Sequence, residues 1–82
     1  MEIQVLGPGC TKCKQLYAEV EKALRQTGQP ATLTKVEAIE EIMSYGVMMT
    51  PALAIDGRVV SSGKIPTAAE IATMVATAVA KA

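Results

Sequence analysis

The chain has 82 residues, 50% of them hydrophobic, with two Tyr and neither Trp nor Phe. Its core must therefore be aliphatic, and recognition by stacking aromatic rings on bases is excluded. Eight basic and eight acidic residues leave no formal net charge, and no Lys/Arg cluster supplies the footprint of a nucleic-acid or anionic-membrane binder. The absence of His removes Cys-His and Ser-His nucleophile pairs.

No basic segment with an apolar follow-on precedes the first strand, and no apolar run nears the roughly 20 residues that cross a bilayer. The expectation is a soluble, cytoplasmic monomer, one domain over residues 1–82, with no nucleic-acid or membrane partner.

Glu2 to Leu6 reads as a short strand, buried through Ile3 and Val5. It breaks at Gly7-Pro8-Gly9, and a helix is expected from Thr11 to Gln26, stopped by Gly28 and Pro30. Its apolar stripe is Cys13, Leu16, Tyr17, Val20, Ala23 and Leu24, spaced by three and four. Ala31 to Val36, rich in Thr and Val, reads as a second strand. A short helix follows over Glu37 to Tyr45, with Ile39, Ile42 and Met43 on one side and Gly46 as its cap. Ala52 to Ile55 is a third strand, joined through Asp56-Gly57, a strong hairpin signal, to a fourth at Arg58 to Ser61. Thr67-Ala68-Ala69-Glu70 is a capping box opening a last helix, whose core face is Ile71, Ala72, Val75 and Val79. The resulting order is β-α-β-α-β-β-α, an α/β fold with a four-stranded mixed sheet and helices on both faces.

The chemistry sits at Cys10-Thr11-Lys12-Cys13, where the first strand turns into the first helix. The N–H groups of a helix's first turn are unpaired and carry partial positive charge, which favours a thiolate placed there. Cys10 is the candidate nucleophile at that tip, while Cys13 lies one turn in and starts the buried stripe. A disulfide between them closes too small a loop to restrain the fold much, so the pair reads as a reagent rather than a staple. Lys12, if its ammonium lies near Cys10, adds to the helix end in stabilising the thiolate. The alternative with chemistry is a Cu(I)- or Zn(II)-binding module, since two thiolates suit a soft metal. Metallochaperones with this motif run β-α-β-β-α-β, however, and a closed zinc site would need carboxylates or a second chain.

With Cys10-x-x-Cys13 at this junction, Gly46-Val47-Met48-Met49-Thr50-Pro51-Ala52-Leu53 before the third strand, and the Asp56-Gly57 hairpin, the chain resembles the thioredoxin fold over essentially its whole length. It looks most similar to the very small thioredoxin-like redox-active disulfide proteins. The resemblance implies a thiol-disulfide oxidoreductase that reduces protein disulfides. Cys10 attacks, Cys13 resolves, and the dithiol itself is the only cofactor, with no metal. It implies a cis Pro51 opposite the dithiol that keeps metals off the sulfurs, a Thr50 backbone offered to the substrate, and a Gly63 that leaves space for the incoming chain. The implied partners are a disulfide-bearing target protein and a thioredoxin-reductase-like protein that recharges the dithiol. Two departures stand out: no Trp precedes Cys10, and Gln4 occupies the part of the first strand where thioredoxins bury an acid.

Overall fold

The computed structural model describes residues 1–9 and 11–81; Cys10 and Ala82 lie outside the described residues. The elements are β1 (Glu2–Leu6), α1 (Thr11–Thr27), β2 (Thr32–Val36), α2 (Ile39–Ser44), β3 (Ala52–Ile55), β4 (Arg58–Ser62) and α3 (Ala68–Lys81). The sheet runs β2-β1-β3-β4. β1 is parallel to β2, the return of a β-α-β crossover, and antiparallel to β3, which is antiparallel to β4. The order of elements along the chain and the four-stranded mixed sheet are those the sequence leads one to expect.

Strand alternation divides the core into two layers. Ile3, Val5, Leu53 and Ile55 face α1 and α3, which contribute Leu16, Val20, Ala23, Ile71 and Val75. On the opposite face Leu6, Ala52 and Ala54 pack with Val36 and with Ile42 of α2. Every residue of β3 is buried, as its place inside the sheet requires. β2, at the edge, exposes Thr32, Thr34 and Lys35, which is why its alternation is poor.

The helix ends follow local chemistry. Thr67 Oγ1 accepts the Glu70 N–H at 3.2 Å, and Glu70 Oε1 accepts the Thr67 N–H at 3.2 Å, a reciprocal pairing that satisfies two of the donors left open at the start of α3. At the hairpin, Asp56 and Gly57 have φ of 50° and 82°, the left-handed pair that a tight two-residue connection needs. Asp56 also ties the turn to β1, its carboxylate accepting the Glu2 N–H and its own N–H donating to the Glu2 carbonyl, each at 2.7 Å.

Three details differ from the sequence reading. Of the apolar residues assigned to one side of α2, only Ile42 is buried; Ile39 and Met43 are 64% and 67% exposed, because a six-residue helix offers the sheet little more than one contact point. Val79 is exposed as well; the last fully buried residue of α3 is Val75, and beyond it Ala78 packs partly buried against the core. In β4, Val59 pairs with Ala54 and Ser61 with Leu53, leaving Val60 as a bulge. The extra residue turns Val59 and Ser61 to opposite faces. Ser61 is thus buried at 6% exposure, and its hydroxyl has no hydrogen-bond partner among the described residues.

Candidate active site

β1 delivers the chain to the site and α1 carries it away. The Gly7 N–H donates to the Val36 carbonyl at 2.9 Å, extending the parallel pairing one residue beyond β1 and fixing the start of the turn. Cys13, in the first turns of α1, is 5% exposed. Its Sγ lies directly against Gly7: a methyl group added at Gly7 would overlap that sulfur and stand 3.9 Å from Pro51 Cα. Gly7 is buried and its lack of a side chain is what lets the thiol approach the backbone. Three residues distant in sequence, Gly7, Cys13 and Pro51, thereby meet at one end of the sheet.

Pro51 is fully buried, and the Thr50-Pro51 peptide bond is cis. Thr50 is exposed. The Pro51 carbonyl accepts the Gly63 N–H at 2.9 Å, so the loop after β4 is latched to the residue that enters β3. Met49 lies over Gly63, with its Cε 3.1 Å and Sδ 3.3 Å from where a Gly63 Cβ would stand. The space above Gly63 thus holds a thioether within this chain, beside Met48, which is 97% exposed. Sequence reasoning named both methionines but gave no signal that Met49 would cover Gly63.

Of the other assigned residues, Cys10 falls outside the described residues. Lys12 is exposed on the first turn of α1. Cys13, Pro51 and Gly63 are gathered by the fold, with Thr50 adjoining them in the chain.

A small cavity of about 30 Å³ lies beside Cys13, lined by Val5, Gly7, Gly9, Cys13, Lys14, Lys35 and Glu37. Gly9 has φ of 89°, and a side chain there would meet the Glu37 carboxylate at 2.7 Å. A glycine is required both for that backbone conformation and for that approach. Lys35 reaches over Tyr17, its Nζ 4.8 Å from the ring centroid, a cation–π contact that holds β2's exposed lysine against α1. Glu37 was missed from sequence because it lies 24 positions from Cys13 and the crossover alone brings it there. Gln4, between Ile3 and Val5, points by strand alternation to the α2 side, away from Cys13; its buried side-chain oxygen has no partner among the described residues.

Among the described residues no group of three or more Cys, Asp or Glu is arranged to hold a metal, and no helix is long and apolar enough to cross a membrane.

Comparison with known proteins agrees with this architecture. A family model described as a thioredoxin domain matches residues 1–76. A protein named thioredoxin from Methanocaldococcus jannaschii is 42% identical over 69 residues, covering 84% of this chain and 79% of the relative. Another of that name from Methanothermobacter thermautotrophicus is 31% identical over 71 residues, covering 87% of this chain and 92% of the relative.

Proposed function

The chain belongs to the thioredoxin domain family and is a thiol-disulfide oxidoreductase; on that premise we propose that its Cys10-x-x-Cys13 dithiol reduces disulfides in partner proteins. The observation that carries this reading is the setting of Cys13, a nearly buried thiol at the start of α1 that lies against Gly7, which Pro51 also approaches. A resolving thiol needs that setting, since it must be kept from outside reagents yet stand close to the chain turn that carries Cys10.

The reaction follows from the pair. The Cys10 thiolate attacks a target disulfide, forming a mixed disulfide and expelling one target sulfur. Cys13 then attacks Cys10 Sγ, closing the Cys10–Cys13 bond and releasing the second target sulfur. Two electrons pass from dithiol to target, with no cofactor besides the dithiol, and a thioredoxin-reductase-like protein returns them. Thr50 offers its backbone to the target beside Pro51, Gly63 leaves space for the incoming chain where Met49 now lies, Lys12 adds positive charge near the helix tip, and the chain works as a single-domain cytoplasmic monomer. Against the Cu(I)- or Zn(II)-carrier alternative stands the strand order, which closes on helix α3 rather than on a strand.

Mild oxidation followed by mass measurement tests the reading. The expected result is a loss of two hydrogens that dithiothreitol restores and that either cysteine-to-serine change abolishes. A protein that keeps its thiols under these conditions and retains a stoichiometric metal after gentle purification would instead support the carrier reading.

A further inference from the structure

We infer that Glu37 is the proton-relay residue for Cys13, taking its proton through water held in the cavity between them; the inference rests on the dithiol reading above. A resolving thiol must lose a proton as it attacks, and a nearly buried one cannot hand it directly to bulk solvent. The cavity joins Cys13 to Glu37 directly. Its volume of about 30 Å³ exceeds the 10–15 Å³ or so that one water requires, and its lining supplies polar partners for that water. The Glu37 carboxylate is held over Gly9, the residue before Cys10, where the missing side chain leaves it room. Glu37 is exposed, so it exchanges protons with solvent on its outer side while facing the cavity on its inner one.

The other charged groups around Cys13 do not fit the task. Lys12 and Lys14 on α1 and Lys35 on β2 are cations, and Lys35 Nζ is engaged over the Tyr17 ring. Gln4 carries no titratable proton and faces the opposite layer. Glu37 is thus the one carboxylate among the described residues lining the cavity.

The step balances as follows. Cys13 S–H gives its proton through the water to the Glu37 carboxylate as its sulfur bonds to Cys10 Sγ. The bond from Cys10 to the target sulfur breaks, the target leaves as a thiolate, and Glu37 passes the proton to solvent. When the dithiol is regenerated the same path runs backward and reprotonates Cys13.

The test uses an aromatic disulfide whose thiolate is coloured. Cys10 releases one equivalent on attack and Cys13 a second on resolution, so the two steps are read separately in one trace. Glu37→Gln should slow the second release by about 100-fold near neutral pH, the lower end of what a general base contributes. The difference should close above a pH of about 9, where thiols ionise unaided. Glu37→Asp, which keeps the carboxylate, should recover part of the rate. The sign is diagnostic. A carboxylate acting through its charge alone would hold the Cys13 thiol protonated, so its removal would speed the second release. A second release that is unchanged or faster in Glu37→Gln overturns the relay, as does equal slowing of both releases, which would mark Glu37 as a support for the Gly9 turn. A wild-type protein that releases no coloured thiolate would overturn the dithiol reading and the relay with it.

Discussion

The contact between Gly7 and Cys13 Sγ ties the reactivity of one residue to the absence of a side chain on another. Gly7→Ala must push the sulfur or the turn aside, an overpacking expected to cost about 1–3 kcal/mol. It should lower the urea midpoint of the reduced protein and slow the resolving step more than the attacking one. An alanine variant that matches wild type in both would mean that the thiol has room elsewhere. If Cys10 is the attacking thiol proposed above, the partial charge at the start of α1 should favour its thiolate. Its alkylation rate should reach half its maximum well below a pH of about 8.5, the midpoint of an unperturbed thiol. Alkylation of Cys13→Ser across pH measures this without interference from the second sulfur. These positions differ in how far sequence discloses them. The spacing of Cys10 and Cys13 after a Gly-Pro-Gly break is local and legible, whereas the approach of Glu37 to Gly9 exists only once β2 lies beside β1.

Elements whose ends are set by local chemistry are those that sequence places well. The Thr67/Glu70 pairing at α3 is a short-range exchange of hydrogen bonds, and Asp56-Gly57 is a backbone requirement met by two residues. Thr67→Ala removes the cap and should cost about 1 kcal/mol, lowering the melting temperature by roughly 4–8 °C in a domain of this size, without altering disulfide exchange. A melting temperature unchanged within error would show that the box contributes nothing to α3. Elements whose fate depends on distance to the sheet are less legible. Apolar spacing over Ile39, Ile42 and Met43 is helical, yet spacing says nothing of how closely so short a helix can settle, and two of the three remain exposed. The bulge at Val60 likewise has no local signature. It is the pairing of β4 with β3 that decides which of Val59, Val60 and Ser61 turns inward.

Across the whole molecule, an aliphatic core in two thin layers holds the turn, the Pro51 loop and the Gly63 loop at one end of the sheet. A chain of this length has a total stability of about 4–12 kcal/mol, so a single large cavity is a substantial fraction of it. Leu16, fully buried one turn beyond Cys13, is the most direct probe. Leu16→Ala should cost about 2–5 kcal/mol and lower the urea midpoint with little change in slope; a smaller loss would mean that the layer collapses around the gap. The proposed exchange requires unequal roles for the two sulfurs, and capture of partners from cell extract tests this most directly. Cys13→Ser should arrest as a stable mixed disulfide, because no thiol remains to displace the target. Cys10→Ser, left with a nearly buried sulfur, should capture little or nothing. Resolving the adducts without reductant gives the answer: capture through Cys10 alone is the predicted result, and equal capture by both variants, or capture by Cys10→Ser alone, would contradict it.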